Sequence, residues 1–402
     1  MDRPPLQPLP VPAGAGALTV RSALAAALAG DGPALVPYPA GSPTADLPDV
    51  TAAGLPDGLA LVVGTSGSTG TPKRALLTAP ALRASAQATH DRLGGPGQWL
   101  LAMPAHHVAG LQVLVRSVVA GTEPRAVDTA AGFTVEAFAA ATAGLDEAVP
   151  RHYTALVPTQ LVRLLDDPRG RDALQRYDAV LLGGAATPTT LLAAADAAGL
   201  RVLTTYGMSE TAGGCVYAGE PLACSRVRIG ADGRVLLGGD TLAAGYLGRP
   251  DLTAAVFSRD GEGRRWFRTD DLGHLDRDGR LVVDGRADDV INTGGVKVAP
   301  RLVEDALLTH VPGVSEAVVV GTPDPEWGEA VGAVVVLAPG RAALDLGEVR
   351  AALRDVLPGP SLPRRIVAVA SIPVRGPGKP DRREIRRIVV GAATYDQGTD
   401  RD

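Results

Sequence analysis

The stretch Thr65-Ser66-Gly67-Ser68-Thr69-Gly70-Thr71-Pro72-Lys73 constrains this chain more than any other. It follows the apolar run Leu59 to Val63 and Gly64, so a buried strand delivers an alternation of hydroxyl side chains and glycines that ends in a cation. Glycines let backbone N–H groups turn toward an anion, Ser and Thr hydroxyls add donors, and Lys73 adds charge, which together make a polyphosphate cradle. The spacing is not that of a Walker loop, because Arg74 follows the lysine where that loop needs Ser or Thr. A flexible linker shares the composition but has no reason to end in Pro-Lys directly after a buried strand.

At 402 residues the chain exceeds one ordinary core, so two or three domains are expected. Acidic and basic residues are interspersed around a formal net charge of -5, which leaves no basic face for nucleic acid. Cys215 and Cys224 stand in no Cys-x-x-Cys or Cys/His array, so free thiols of a reducing cytoplasm are expected, not a disulfide framework or a zinc site. No apolar run reaches about 18 residues, and Met1-Asp2-Arg3-Pro4-Pro5 lacks the basic-then-apolar order of a secretory signal. A cytoplasmic protein without a membrane span is therefore expected.

After the loop, Ala79 to Leu93 reads as a helix and Trp99 to Met103 as a short buried strand. Pro104-Ala105-His106-His107-Val108-Ala109-Gly110 follows. Adjacent histidines serve as ligands, bases or polar plugs, and the lack of a third ligand nearby disfavours a metal. Leu111 to Val119 reads as a largely apolar helix carrying Gln112 and Arg116. Either Arg116 is buried and needs a planar anionic partner, or the two polar residues, four apart, form a solvated stripe.

Val180-Leu181-Leu182, Gly183-Gly184-Ala185-Ala186, a helix capped by Thr187 with Pro188 at its first position, and Val202-Leu203-Thr204-Thr205 make a strand-helix-strand unit and hence a parallel sheet. Ligands of open α/β sheets gather at such strand ends. Gly183 and Gly184 suit a backbone approaching a ligand, and equally a plain tight turn. Tyr206-Gly207-Met208-Ser209-Glu210-Thr211 ends the second strand; by residue type alone Glu210 is a helix-start charge. Asp232-Gly233 and Asp278-Gly279, each between apolar runs, predict two β-hairpins. From Arg286 a charged segment without apolar period precedes a new β/α pattern, which divides the chain into residues 1–286 and 287–402. The tail after about residue 390 is polar and expected to be disordered.

Thr65 to Lys73, the His106-His107 segment, Tyr206 to Thr211, Thr269-Asp270-Asp271-Leu272-Gly273, Gly285 to Pro300, and Pro373-Val374-Arg375-Gly376-Pro377-Gly378-Lys379-Pro380 resemble, in order, the motifs of the adenylate-forming superfamily of acyl-CoA synthetases, luciferases and peptide-synthetase adenylation domains. The likeness spans residues 59 to 382. It implies an α/β and α+β architecture: a large N-terminal domain of mixed and parallel sheets with β-hairpins, and a small mobile α+β C-terminal domain. It also implies a ligase that adenylates a carboxylate with ATP and Mg2+, then passes the acyl group to coenzyme A.

Carried over residue by residue, the resemblance implies that Thr65, Ser66, Gly67, Ser68, Thr69, Gly70 and Lys73 hold phosphates, and that Gly183, Gly184 and Gly207 surround the nucleotide. Tyr206 would stack on adenine, Ser209 meet the α-phosphate, Glu210 hold magnesium, Asp271 accept from the ribose hydroxyls and Arg286 contact ribose or phosphate. Asp288 would be the hinge and Lys379 the adenylation lysine. His107, with His106, Gly110, Gly184 and Met208, would line the carboxylate pocket. His106 replaces a customary aromatic and Asp270 a customary glycine. Among CoA ligases, the short chain, the His-His segment and Gly-Gly-Ala-Ala are most similar to the o-succinylbenzoate-CoA ligases of menaquinone biosynthesis, for whose second carboxylate Arg116 is the candidate. Another acyl- or aryl-CoA ligase and a catalytically inactive nucleotide-binding homologue are the alternatives; a homo-oligomer is left open.

Overall fold

The computed structural model describes residues 6–43, 54–65, 73–130, 132–341, 343–375 and 379–396. The apolar run before the Ser/Thr/Gly stretch is the third strand of a four-stranded sheet made of β1 (Leu6–Val11), β2 (Ala34–Pro39), β3 (Leu59–Thr65) and β4 (Lys73–Thr78). β1 to β3 are parallel and β4 returns antiparallel to β3, with Thr65 paired to Lys73. The two ends of the predicted phosphate loop are thus held side by side in one ladder. Ser66, Gly67, Ser68, Thr69 and Gly70 lie outside the described residues.

The strand-helix-strand unit belongs to a seven-stranded sheet of β5 (Gln98–Leu101), β6 (Arg125–Ala126), β7 (His152–Leu156), β8 (Ala179–Leu182), β9 (Val202–Met208), β10 (Gly213–Tyr217) and β11 (Glu220–Pro221), in the spatial order β11-β10-β9-β8-β7-β5-β6. It is parallel from β6 to β9, and β10 and β11 turn back antiparallel. Because side chains alternate across a strand, Trp99, Leu101, Tyr153, Ala155, Ala179 and Leu181 share one core with α1 (Arg21–Ala29), α2 (Ala79–Leu93) and α3 (Val108–Ala120). Leu100, Leu156, Val180 and Leu182 face the other core, with α4 (Val135–Ala143), α5 (Pro158–Asp166), α6 (Pro168–Leu174) and α7 (Thr189–Ala197). Burial on both faces explains why these strands read as unbroken apolar runs. α7 begins later than its sequence suggests: Pro188 is its N-cap with extended backbone, and no side chain caps it.

Both Asp-Gly hairpins form. β12 (Ser225–Ile229) pairs with β13 (Arg234–Gly239), and β15 (Arg265–Leu275) with β16 (Leu281–Arg286), in one antiparallel sheet with β14 (Phe257–Arg259), which α8 (Pro250–Val256) precedes. The small C-terminal domain comprises β17 (Ile291–Thr293), β18 (Val296–Val298), α9 (Pro300–His310), β19 (Val314–Asp324), β20 (Gly328–Leu337), α10 (Leu346–Leu353), β21 (Arg365–Ala368), the short hairpin β22 (Val374–Arg375) and β23 (Lys379–Pro380), and α11 (Arg382–Asp396). α9 and α10 cover one face through Val303, Leu307, Val349 and Leu353, and α11 covers the other through Ile385 and Val389. The disorder expected after about residue 390 does not hold for the described part, since α11 runs to Asp396. Ile385 and Val389, one turn apart and both fully buried, anchor the helix and carry it past the polar residues.

The α/β and α+β organisation is therefore the one the sequence implies. No helix among the described residues is long and apolar enough to cross a membrane. Both cysteines are free, and burial pushes the Cys215 thiol up to about 12.

Candidate active site

β9 ends at Met208, and a single turn, Ser209–Thr211, reverses the chain into β10. Thr211 Oγ1 fastens the turn, accepting from Met208 N at 2.9 Å and donating to Gly213 O at 2.8 Å. Gly207 is needed because a Cβ there would stand 2.1 Å from Gly213 O. Ser209 and Glu210 are thereby held buried at the strand end, 9% and 7% exposed.

Glu210 Oε1 accepts a hydrogen bond from the Tyr246 hydroxyl at 2.7 Å. Tyr246 is the residue that sequence reading missed. Its segment is stitched along β4 by Ala244 N to Leu76 O, Leu76 N to Gly245 O and Leu247 N to Arg74 O, at 2.8, 2.9 and 2.8 Å, and Ala243 N donates to Glu210 O at 2.8 Å. Lys73 Nζ lies 5.6 Å from the centroid of the Tyr246 ring. A cation, a ring and a carboxylate thus stand in file at the end of the predicted phosphate loop. Burial, then the Glu210 charge, raises the Tyr246 pKa and keeps the phenol a donor. Gly245-Tyr246, in a chain with 7 tyrosines, was the available signal.

A second chain of contacts starts at Tyr206 on β9, whose hydroxyl donates to Asp271 Oδ2 at 2.6 Å. Asp271 on β15 faces Arg286 on β16 in ladder register, with Arg286 Nη1 3.8 Å from Asp271 Oδ1. Arg286 in turn grips Asp288 with Nε to Oδ1 at 2.8 Å and Nη2 to Oδ2 at 3.0 Å, the forked geometry a guanidinium makes with a carboxylate. Burial raises the Asp271 pKa against the pull of Tyr206 and Arg286, and burial followed by the Asp271 charge raises that of Tyr206. Asp270, the departure from glycine, pairs with Arg234 Nη1 at 2.8 Å and lies 3.6 Å from Arg286 Nη2, the arginine that also faces Asp271. Beside Tyr206 a cleft of about 220 Å³ is walled by Ala185, Leu192 and Thr205 of the large domain and by Arg301 of the small one.

Gly183 and Gly184 have reasons of their own. A Cβ on Gly183 would stand 2.4 Å from Thr205 Oγ1, and Gly184 has φ +84°. Strand packing and the turn account for both without a ligand. Gly110 likewise serves packing, since a Cβ there would meet Pro104 O at 2.4 Å; it lets the loop bearing His106 and His107 fold onto α3. His107 is the N-cap of α3, and the two rings lie 4.2 Å apart. Burial lowers the His106 pKa, which favours its neutral form.

Gln112, one turn into α3, donates to Ala212 O at 2.6 Å and ties the histidine helix to the Glu210 turn. The solvated-stripe reading of Gln112 and Arg116 fails, because they are 1% and 4% exposed. The structure does not bring Arg116 to the Ser209–Thr211 turn either. Its guanidinium stacks 4.9 Å from the Trp99 ring centroid and donates to Tyr217 Oη at 3.2 Å, four residues along β10 from Gly213. There it is buried against the two rings. Lys379 stands on β23 opposite Arg375. Among the described residues no group of three or more His, Cys, Asp or Glu could hold a metal.

The AMP-binding enzyme family matches residues 17–247, and its C-terminal domain family matches residues 302–379. A probable 2-succinylbenzoate–CoA ligase of Mycobacterium tuberculosis is 46% identical over 392 residues, 96% of this chain and 100% of that protein. The o-succinylbenzoate coenzyme A synthetase of Bacillus subtilis in complex with ATP and magnesium ion superposes with a TM-score of 0.69 at 28% identity, over 82% of this chain and 70% of that one. The amide bond synthetase McbA of Marinactinospora thermotolerans gives 0.78 at 28% identity, over 96% and 90%.

Proposed function

This chain belongs to the AMP-binding enzyme family, and from that membership we propose that it activates 2-succinylbenzoate as its adenylate and passes the acyl group to coenzyme A, a step of menaquinone biosynthesis. The observation that carries the substrate is the 46% identity to a probable 2-succinylbenzoate–CoA ligase along that protein's whole length, both domains included.

In the first step a carboxylate oxygen of the substrate attacks the α-phosphorus of ATP, a C–O–P linkage forms, and the bond to the pyrophosphate oxygen breaks. Negative charge crowds at phosphorus, so catalysis is mainly electrostatic. Tyr206 supplies an apolar face for adenine, and Asp271, with Oδ2 engaged by the tyrosine, receives the ribose hydroxyls. Lys73 and the residues from Thr65 to Gly70 take the phosphates, Ser209 meets the α-phosphate, and His107 with His106 and Met208 lines the carboxylate side. Glu210, oriented by Tyr246, is a hard oxygen donor that suits magnesium; one carboxylate plus phosphate oxygens is a usual shell for that ion. When bound, magnesium offsets phosphate charge. Lys379 completes the cationic side during adenylation.

In the second step the coenzyme A thiolate attacks the acyl carbonyl carbon and AMP leaves. The small domain, residues 287–402, then turns about Asp288 to withdraw Lys379 and present Gly294-Gly295-Val296. Free cysteines fit a cytoplasmic location.

Pyrophosphate exchange with a panel of carboxylates, followed by thioester analysis, tests the reading. The expected ranking puts 2-succinylbenzoate first. A preference for monoacids would make the chain another acyl- or aryl-CoA ligase, and no exchange with any acid would mean that catalysis is lost. A second reading, with an amine replacing the thiol, is favoured by the likeness to the amide bond synthetase over 96% of the chain. Amide product from an amine panel, with no thioester from coenzyme A, would decide for it.

A further inference from the structure

Arg382 begins α11, three residues beyond Lys379, and its guanidinium reaches three separate elements. Nε lies 3.0 Å from Asp289 Oδ2 in the linker, Nη2 lies 3.2 Å from Glu304 Oε1 on α9, and Nη1 donates to Val319 O of β19 at 2.5 Å. Glu304 Oε1 also accepts from Val319 N at 2.9 Å. The chain between Lys379 and Arg382 is short and fixed, with Lys379 in ladder with Arg375 and Asp381 N bonded to Pro373 O at 2.8 Å. Meanwhile Asp288, the immediate neighbour of Asp289, is gripped by Arg286 of the large domain. Two consecutive aspartates are thus claimed by two arginines, one in each domain.

We propose that Arg382 is a positioning residue: by clasping Asp289 it makes the hairpin that bears Lys379 follow the first peptide beyond the hinge, so that rotation at Asp288 reaches the lysine without slack. Burial pushes the Asp289 and Glu304 pKa values up, and Arg382 holds both back toward the charged form. The domain boundary then falls between Asp288 and Asp289. Hydrogen bonds to Glu304 and Val319 O, with the ion pair to Asp289, hold one planar group in orientation as well as distance, which a lysine could not do.

The proposal rests on the reading that Lys379 serves adenylation, and Lys379→Ala is the control for that reading. Arg382→Met, which keeps the stem and removes the donors, should lower kcat for pyrophosphate exchange roughly ten- to hundredfold, the cost of a misplaced catalytic group. KM for ATP and acid should stay within about twofold, and coenzyme A transfer from preformed acyl-adenylate should run near wild type, because the effect acts on the lysine alone. Arg382→Lys should recover part of the loss. Asp289→Asn should give the same split at smaller size, and the double variant Asp289→Asn with Arg382→Met should be no worse than Arg382→Met, as expected for one shared interaction. If Arg382→Met does not fold, Asp289→Asn carries the test. If Lys379→Ala leaves exchange intact, the adenylation reading fails. If Lys379→Ala abolishes exchange while the Arg382 and Asp289 variants leave it unchanged, or lower both half-reactions equally, the positioning role is overturned.

Discussion

The hydroxyl of Tyr246 donates to Glu210 Oε1 at 2.7 Å from a ring whose face is approached by Lys73. Three segments far apart in sequence meet there, and the bond helps set the orientation of the Glu210 carboxylate. Orientation of that carboxylate matters for the proposed role, because magnesium prefers near-octahedral geometry.

Tyr246→Phe should therefore raise the magnesium concentration giving half-maximal adenylation by roughly three- to tenfold, the worth of one hydrogen bond to a charged group. The ring keeps its packing against Phe257, with centroids 6.0 Å apart, so the melting temperature should stay close to wild type. A shift in KM for the acid alone, with the magnesium dependence unchanged, would remove Glu210 from its assigned place.

Asp271 is expected to read the ribose. Asp271→Ala should raise KM for ATP by about tenfold and collapse discrimination between ATP and its 2′,3′-dideoxy analogue, since the acceptor for both hydroxyls is gone. Discrimination that survives the substitution would mean that another group reads the sugar.

Asp288→Pro restricts φ at the proposed pivot and removes the carboxylate that Arg286 holds. Pyrophosphate exchange should persist while coenzyme A transfer falls by at least roughly tenfold, because only the second step needs the rotated domain. Normal rates in both half-reactions would locate the hinge elsewhere.

His90 makes stability depend on pH. It is 1% exposed, its Nε2 accepts from Trp99 Nε1 at 3.3 Å, and burial together with nearby Arg116 lowers its pKa from 6.5 to about 4. Below its ordinary pKa the unfolded chain binds a proton that the folded chain refuses. This contribution to stability is thus complete above about pH 6.5, declines as pH falls and levels off below about 4. Between pH 7.5 and 5 the loss from this residue should be about 2 kcal/mol. Denaturant melts of His90→Gln at the two pH values should show a correspondingly smaller difference, and an unchanged difference would assign the effect to other groups.

The strands, the hairpins and the order of the site segments were legible because they rest on local signals: apolar runs, Asp-Gly turns, and glycines where neighbours leave no room for a Cβ. Tyr206, Asp271, Arg286 and Asp288 are spread over 83 residues of sequence yet form one bonded file. Tyr246 was not legible, since its meaning lies in a bond to Glu210 that closes only when its segment docks on β4. Arg116 was legible as an anomaly but not as a place: the sequence marks a cation in an apolar helix, and only packing decides that Trp99 and Tyr217 receive it. The end of α11 was misjudged because two apolar residues at helical spacing outweigh a polar composition once a sheet lies beneath them.

The pairing of Thr65 with Lys73 turns the β3–β4 ladder into a ruler for the segment between them. A slip of one residue in that ladder would exchange the two faces of β4. Lys73 would leave the Tyr246 ring, and Leu76 and Arg74 would offer the wrong side to the segment stitched along them.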